Sequence, residues 1–432
     1  MKRLRKGGKV MKKRRLVSFL CAAMTAVMLT GCGGAQNTAG KGATSDGKVD
    51  LKFYIWSDEV TYMTEVVNNY NNSQNATKVE VVSIPNASYD DKLRIMLSGG
   101  SDADIVDIRG VAQLLQYKDA NVLLDVTNNV KSSNLDISKY GPTWNETYKD
   151  GIITALPTRT TSWMLFYNAD LFKAAGIQMP EQLTWDDYRE LAKKLTKADG
   201  SQYGGTWVNW SIYQSLATMK GTYIIDDNLS DVKDSLEYVN NLLNVDKSHV
   251  PLAELKSNDT QFLSNFENGK SAMLINGEWL INMLMTDKKE GKTKVNWEIA
   301  PMPIHKGQEP GSTWGAYQFA AITKTSKHPK ESYDFLQYLC STGGSEVLPK
   351  YGMLPAYASE TAQKNFEDFV GKESASKVAF KSKKVPEIPS YNKYNELIKA
   401  FTENAELYLN GEKNIDDTMQ NFDKQRKTIM GK

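Results

Sequence analysis

The stretch VDLKFYIWSDEV, residues 49–60, decides the fold class, because it joins a strand to the start of a helix. Apolar side chains occupy every second position over residues 49–55, which is the period of a β-strand. Ser57 or Asp58 then stands where it can cap a helix, and residues 60–70 carry apolar side chains at helical spacing. The sequence therefore predicts a strand that leads directly into a helix.

The alternation of strands and helices continues along the chain. The further predicted elements are strands at 79–84, 103–108, 163–167, 271–275, 297–299 and 315–322, and helices at 89–97, 169–175, from 184 onward and at 329–340. Thr184 and Asp187 have the spacing of a capping box. The order β-α-β-α-β over residues 49–108 indicates a mostly parallel sheet flanked by helices, so the predicted fold class is α/β.

A second informative stretch is LTGC, residues 29–32, which follows a basic block at 12–15 and an apolar run at 16–29. The apolar run has the length of a secretory signal and is shorter than the roughly 20 residues of a membrane-spanning helix. Together the three parts resemble the lipobox of bacterial lipoproteins. This resemblance implies a signal peptide at residues 1–31 and a mature chain that begins at a lipidated Cys32. Such a protein is anchored on the extracellular face of the cell membrane, in the Gram-positive manner.

The sequence before the signal does not decide which methionine starts translation. The sequence after it predicts a tether. Translation can start at Met1 or at Met11, and a start at Met11 gives a signal of more usual proportions. Residues 32–48 lack apolar periodicity, so we expect a flexible tether of about 20 Å root-mean-square length behind the lipid. Anchoring by more than one lipid chain is effectively stable.

The charge balance excludes some function classes. Residues 1–31 hold nine of the 53 basic residues and no acidic residue, so the mature chain carries 44 basic against 51 acidic residues. This acidic balance disfavours binding to nucleic acid. About 400 mature residues are more than one core usually serves, so we expect two lobes.

Cysteine and histidine usage argues against disulfides and metals. Of the three cysteines, Cys21 leaves with the signal and Cys32 is lipidated, which leaves Cys340 without a disulfide partner in the mature chain. The three histidines lie far apart and lack the spacing of metal ligands. We therefore expect no structural metal and no cofactor.

Several blocks in the mature chain resemble the carbohydrate-binding family of extracellular solute-binding proteins of ABC importers, the family that includes maltose-binding protein. The blocks are ALP at 155–157 with MLFYNADLF at 164–172 and AGI at 175–177, LTWDD at 183–187 with AKKL at 192–195, FENGKSAM at 266–273 with NGEW at 276–279, WGAY at 314–317 with SKHPK at 326–330, and GMLPA at 352–356. They occur in family order and cover most of the mature chain.

The resemblance implies a two-lobed, type II periplasmic-binding-protein-like fold, with a hinge of three crossing segments and the ligand in the interlobe cleft. The crossings fall near 157–160, 314–317 and 354–356. One lobe then comprises residues 49–157 and 317–353, and the other comprises residues 158–316 and 354–432. Proteins of this kind close around their ligand by hinge motion.

A sugar presents apolar C–H faces and hydroxyl edges, so its site needs aromatic rings and planar polar groups. Such side chains stand at predicted strand ends, where open α/β sheets bind ligands, and on the predicted hinge. The candidate ligand-binding residues are Trp56, Asp58, Asp107, Arg109, Arg159, Trp207, Asn209, Trp210, Glu278, Trp279, Trp314, Tyr317 and Tyr391. Trp279 is the foremost candidate, because it falls where family members present a stacking ring.

Structural roles remain open for some of these residues. Packing is the alternative for Trp56, Trp207 and Trp210, and an ion pair is the alternative for Asp107 and Arg109. Trp163 and Trp185 belong to strand and helix blocks, so we expect them to be part of the scaffold.

The predicted function is that of the substrate-binding lipoprotein of an ABC importer. It captures a mono- or oligosaccharide by hinge closure and delivers it to permease subunits, as a monomer and without catalytic residues. A glycoside hydrolase needs two carboxylates roughly 5–10 Å apart, and no spacing in the sequence supports such a pair. Two alternatives stay open, namely a non-sugar solute such as a phosphodiester or a peptide in the same fold, and a lipoprotein sensor or adhesin. The sequence leaves the identity of the sugar open.

Overall fold

The computed structural model describes residues 47–432, except 142, 143, 145–147, 149, 209 and 259. Four predicted features lie outside the described residues, namely the signal peptide, the lipidation site Cys32, nearly all of the tether and the candidate Asn209. Across the described ranges, no helix combines the length and the apolar character needed to cross a membrane.

The elements alternate along the chain, as the sequence predicts. The strands are β1 Val49–Trp56, β2 Thr77–Ile84, β3 Ile105–Ile108, β4 Leu156–Thr160, β5 Trp163–Asn168, β6 Tyr203–Trp207, β7 Ser271–Gly277, β8 Trp297–Ala300, β9 Ser312–Gly315, β10 Tyr317–Ile322, β11 Leu354–Pro355 and β12 Lys383–Pro386. The helices are α1 Val60–Ser73, α2 Tyr89–Gly99, α3 Val111–Asp119, α4 Thr127–Ser132, α5 Ala169–Ala174, α6 Trp185–Leu195, α7 Ser215–Met219, α8 Ser230–Asn240, α9 Leu252–Leu255, α10 Gln261–Glu267, α11 Trp279–Lys289, α12 Pro329–Tyr338, α13 Gly344–Val347, α14 Glu360–Val370, α15 Glu373–Lys381, α16 Tyr394–Leu409 and α17 Ile415–Met430. A short 3-10 turn, Ser57–Glu59, joins β1 to α1.

The first sheet contains the predicted parallel unit. Its six strands lie in the order β11-β4-β10-β3-β1-β2. β1 pairs in parallel with β2 and β3, so that Phe53 lies opposite Val81 on one side and Ile105 on the other. β10 runs antiparallel between β3 and β4, and β11 runs antiparallel to β4 at the edge. The predicted parallel pairing of β1 with its neighbours is confirmed, but the prediction of a mostly parallel sheet is wrong, because later segments of the chain add three antiparallel pairings.

The second sheet is smaller and mixed. Its four strands lie in the order β6-β7-β5-β8, with β5 antiparallel to both neighbours and β6 parallel to β7. β9 and β12 form a separate parallel pair, here called the β9–β12 ribbon, in which Lys384 lies opposite Thr313.

The position of strand β5 between two hydrophobic clusters explains why its sequence is apolar throughout. Trp163 and Leu165 face one hydrophobic cluster of the second sheet, whereas Met164 and Phe166 face another. All four side chains are fully buried, so this strand has a core on each face and needs no polar alternation.

One local prediction, the capping box, is confirmed, and another, a continuous strand over residues 315–322, is wrong. The capping box of α6 is confirmed, since the Asp187 backbone N–H donates to Thr184 Oγ1 at 3.1 Å and the Thr184 N–H donates to the Asp187 carboxylate at 3.0 Å. The predicted strand 315–322 is interrupted at Ala316. The Ala316 carbonyl accepts from the Thr161 N–H at 2.8 Å, and its own N–H donates to Thr161 Oγ1 at 2.7 Å. The two segments that pass between the sheets are therefore bonded to each other.

Candidate functional site

Arg159 joins the two sheets. It lies on β4, it is 3 % exposed, and its Nη2 donates to Oε1 of Glu278 at 2.8 Å, at the end of β7. Its Nη1 donates to Oε1 of Glu59 at 3.2 Å and to the Tyr62 hydroxyl at 2.9 Å. Both carboxylates are fully buried. We call these four residues the Arg159 network.

Burial and charge shift the titrations in this network. Burial raises the pKa of Glu278, although Arg159 and the Ser162 N–H, which donates to Glu278 Oε2 at 2.9 Å, partly counteract the shift. Burial and the neighbouring Glu59 carboxylate raise the pKa of Tyr62 well above its ordinary value. Burial alone would lower the pKa of Arg159, but Tyr62 and the two carboxylates outweigh it and the pKa is raised. The guanidinium is therefore charged.

Asp107 adds a second acid beside Glu59. Burial, and next the Glu59 charge, raise the pKa of Asp107 well above its ordinary value, which favours the protonated acid. Its Oδ1 accepts from the Ile108 N–H at 3.0 Å. In the described part of the chain, neither Asp107 Oδ2 nor Glu59 Oε2 has a geometric hydrogen-bond partner. Asp107 thus belongs with the network and does not pair with Arg109, which lies 3.5 Å from Asp90.

Four tryptophans gather at the start of β5, and we call them the tryptophan cluster. The Trp163 ring lies 5.4 Å from Trp210 and from Trp279, and 5.5 Å from Trp314. Trp210 and Trp279 stack at 6.1 Å with 28° between their planes. Trp210 is 51 % exposed, whereas Trp163 is fully buried. The cluster therefore presents an aromatic surface to solvent on a buried aromatic base.

Gly277 explains the position of Trp279. A Cβ atom at residue 277 would lie 1.9 Å from the Trp279 ring. Only glycine lets the ring fold back over the end of β7, so the Asn276-Gly277 pair seen in the sequence sets the direction of Trp279.

Two charged side chains lie on the β9–β12 ribbon and at its end, and the second of them, Glu387, contacts the tryptophan cluster. Trp163 Nε1 donates to Glu387 Oε2 at 2.9 Å, and burial, with the nearby Glu278 charge, raises the pKa of Glu387 to about 7. Lys384 Nζ lies 3.4 Å from Thr160 Oγ1, and burial lowers its pKa to about 8. Both side chains are partly buried.

The carboxyl edge of the first sheet holds a more exposed group. The Arg109 guanidinium lies 4.8 Å from the centre of the Trp56 ring, which packs at 5.3 Å against Tyr89. Asn86 bridges the strand ends, because its amide donates to Asp58 at 2.6 Å and its carbonyl accepts from Arg109 at 3.0 Å.

The candidate residues divide by exposure. The buried ones are Trp56, Asp107, Arg159, Trp207, Glu278 and Trp314. The partly or fully exposed ones are Asp58, Arg109, Trp210, Trp279, Tyr317 and Tyr391. Trp207 stacks on Trp185 at 5.7 Å, which favours its packing alternative, and Tyr391 packs at the margin of the second-sheet core. Ligand contact by each of these residues stays a prediction.

Sequence reasoning missed four residues of this site, namely Glu59, Tyr62, Lys384 and Glu387. Glu59 directly follows the candidate Asp58, and only the 3-10 turn between β1 and α1 decides which of the two acids points inward. Lys384 and Glu387 stand in the charged stretch KSKKVPE, which has no motif. Within the described residues, no group of three or more His, Cys, Asp or Glu side chains could hold a metal ion. The tryptophan cluster and the charged side chains beside it can offer stacking and hydrogen bonds to a ligand.

An aromatic surface beside buried charged groups on an α/β fold has the composition of a small-molecule binding site. The family model described as bacterial extracellular solute-binding protein matches residues 56–346, and the chain belongs to this family.

Two curated relatives and one solved structure place the chain within the family. It is 24 % identical over 343 residues to the arabinooligosaccharide-binding protein of Bacillus subtilis, covering 76 % of each chain. It is 24 % identical over 339 residues to an uncharacterized lipoprotein of Streptomyces antibioticus, covering 74 % of this chain and 71 % of the relative. A sugar transporter from Rhizobium etli, in an open conformation, matches with a TM-score of 0.76 and 25 % identity, over 88 % of this chain and 99 % of the other. The predicted two-lobed α/β fold and the family resemblance are confirmed.

Proposed function

We propose that this chain is the lipid-anchored, extracellular substrate-binding component of an ABC importer that captures a mono- or oligosaccharide. The sugar binds between a first lobe of residues 49–157 and 317–353 and a second lobe of residues 158–316 and 354–432. Closure of the lobes presents the loaded protein to permease subunits in the membrane. The chain acts as a monomer and performs no catalysis.

The stacked pair of the exposed Trp210 and the partly buried Trp279 is the observation that carries this proposal. A ring with 51 % exposure on a folded surface costs free energy unless a ligand covers it, and the C–H face of a sugar is the matching partner. The name of the arabinooligosaccharide-binding relative supports the same ligand class.

A fluorescence titration tests the ligand. The mature chain without residues 1–32 is titrated with arabinose, glucose, arabinotriose, maltotriose and mannotriose, and the emission of its tryptophans is followed. We expect saturable binding of one of these sugars, weakened in Trp279→Ala by about 1–3 kcal/mol because stacking is lost. Trp297→Phe, on the far face of the second sheet, is the control and keeps the affinity. Unchanged affinity in Trp279→Ala refutes the role of that ring, and silence across the panel refutes the sugar.

A second experiment tests the anchor. Cys32→Ala removes the thiol that accepts the lipid, so we expect the protein in the culture medium instead of the membrane fraction. The matched control is Cys340→Ala, which removes the buried cysteine of the folded part and leaves the anchor intact. Retention of Cys32→Ala in the membrane contradicts the anchor.

A third experiment separates import from sensing or adhesion. Deletion of the gene abolishes uptake of the radiolabelled sugar if the chain feeds a permease. Normal uptake in the deletion strain favours the sensor or adhesin alternative.

A further inference from the structure

Lys384 is a partly buried cation that feels the Glu278 charge but lies within ion-pair distance of no carboxylate among the described residues. Its Nζ contacts the Thr160 hydroxyl at 3.4 Å, and it forms no ion pair within the described part of the chain. Its stem lies along the ribbon, where a Cβ atom on Gly315 would be 3.2 Å from Lys384 Cδ. The adjacent Lys383 behaves differently, because it is exposed and pairs with Glu309. A half-buried ammonium with one weak contact is a donor that is free for a ligand.

Glu387 is the matching acceptor. One of its carboxylate oxygens accepts from Trp163 Nε1 at 2.9 Å, and this is its side-chain hydrogen bond among the described residues. Its backbone N–H donates to the Gly315 carbonyl at 2.9 Å, which fixes the residue against the ribbon. Because Trp163 is the centre of the tryptophan cluster, the carboxylate lies beside the aromatic surface.

The charges of the surrounding groups limit which net charge the ligand can carry. Arg159 is balanced by Glu59 and Glu278, which leaves one excess negative charge in the Arg159 network. Lys384 offsets that charge, and Glu387 adds another carboxylate. An anionic ligand would therefore meet a neutral or negative environment, whereas an uncharged ligand with hydroxyl groups meets one donor and one acceptor.

We propose that Lys384 and Glu387 are the polar recognition pair of the ligand site beside the tryptophan cluster, and that they select an uncharged sugar. Lys384 donates to a ligand oxygen, and Glu387 accepts a hydrogen bond from a ligand hydroxyl. This inference rests on the proposed function and names the residues and the ligand charge at the same site.

Binding should then depend on pH through both groups. Glu387 faces Trp163, Glu278 and Tyr394, and Lys384 faces Thr160 and Glu278. Protonation of Glu387 below about 7 removes the acceptor charge, and deprotonation of Lys384 above about 8 removes the donor charge. The affinity should therefore be highest between these values and decrease on either side.

The test measures affinity by calorimetry for the wild type and for Lys384→Met and Glu387→Gln, with melting temperature as the check on folding. The ligands are the five neutral sugars used for the fluorescence titration and sn-glycerol 3-phosphate. The matched controls are Lys383→Met and Glu309→Gln, an exposed pair of the same charges next to the same ribbon. Lys384→Gln is the second variant if Lys384→Met lowers the melting temperature.

We expect about a tenfold or larger loss of sugar affinity in each test variant and full affinity in the controls. In Glu387→Gln, the affinity should no longer decrease on the acid side of the pH profile. A wild type that binds a sugar with affinity unchanged in both test variants overturns this inference and leaves the proposed function standing. Stronger binding of sn-glycerol 3-phosphate, abolished in Lys384→Met, overturns the uncharged ligand. A wild type that binds none of the ligands refutes the proposed function together with the recognition pair.

Discussion

Arg159 holds a positive charge at 3 % exposure between two carboxylates that have no exposure at all. Taking three charges out of water is costly, and the hydrogen bonds of the Arg159 network offset that cost only while every partner is present. Because Glu59 follows β1 of the first sheet and Glu278 follows β7 of the second, this one side chain affects both halves of the fold.

Replacement of Arg159 by Met should therefore lower the free energy of unfolding by about 3–5 kcal/mol at pH 7, because two buried carboxylates lose their counter-charge. Without the guanidinium, the pKa of Glu278 rises further, so lowering the pH lets this carboxyl accept a proton and reduces the loss of stability. Urea unfolding at pH 7 and pH 5 measures both effects.

Arg94→Met is the control for this prediction, because Arg94 forms an exposed pair with Asp91. Its loss should change stability by less than about 0.5 kcal/mol. Addition of Glu278→Gln to Arg159→Met should restore part of the loss. A decrease of less than about 1 kcal/mol in Arg159→Met would contradict a buried ionic role.

The sequence allowed Arg159 and Glu278 to be predicted as separate site residues, but not as partners. Arg159 stands on a predicted crossing and Glu278 belongs to the NGEW block at 276–279, so local signals mark both. Their contact spans 119 positions of the chain and depends on how the two sheets meet. No local pattern encodes that distance, and the same reason hides Trp163 Nε1 and Glu387, which are 224 positions apart.

The strands that carry their own apolar pattern could be predicted from the sequence, and the other strands could not. β1, β5 and β7 are rich in apolar residues and agree with the sequence analysis. β4, with sequence LPTRT, and β12, with sequence KKVP, contain proline and charge and have no such period. They become strands because β10 and β9 supply hydrogen-bond partners, which is a property of the assembled sheet.

The packing of α6 against β6 contains a buried histidine. His249 Nε2 lies 2.8 Å from the Tyr188 hydroxyl of α6, and a Cβ atom on Gly205 of β6 would be 2.4 Å from the same nitrogen. Burial lowers the pKa of His249 to about 3. The folded protein therefore keeps this imidazole neutral over a pH range in which the unfolded chain binds a proton.

This difference predicts a loss of stability in acid. Below about pH 6.5 the unfolded state gains a proton at His249 and the folded state does not, so the free energy of unfolding falls as the pH decreases toward 3. Between pH 7 and pH 5 the contribution is about 2 kcal/mol. Over this pH range, the free energy of unfolding of His249→Asn should fall by about 2 kcal/mol less than that of the wild type, as measured by urea unfolding. An equal slope in His249→Asn and the wild type would rule out the effect.

Besides the Arg159 network, a second pair of contacts joins the two proposed lobes. Gln116 on α3 donates to the Asn392 carbonyl at 2.7 Å, and the Asn392 side chain donates to the Asp119 carboxylate at 2.7 Å. Since α3 falls in the proposed first lobe and Asn392 in the proposed second lobe, we expect these bonds to stabilise a closed arrangement of the lobes relative to an open one.

The double substitution Gln116→Ala and Asn392→Ala should shift the ligand-free protein toward the open arrangement. Two hydrogen bonds of about 1 kcal/mol each change the ratio of the two states by about 30-fold, and sugar affinity should fall by up to the same factor, because binding must then close the lobes unaided. Small-angle X-ray scattering should show a larger radius of gyration without sugar and the wild-type value at saturation. Asn395→Ala, at an exposed position on α16, is the control and should behave as the wild type. If the double variant kept the wild-type scattering in both conditions, these bonds would not set the lobe equilibrium, and the Arg159 network alone would have to hold the arrangement described.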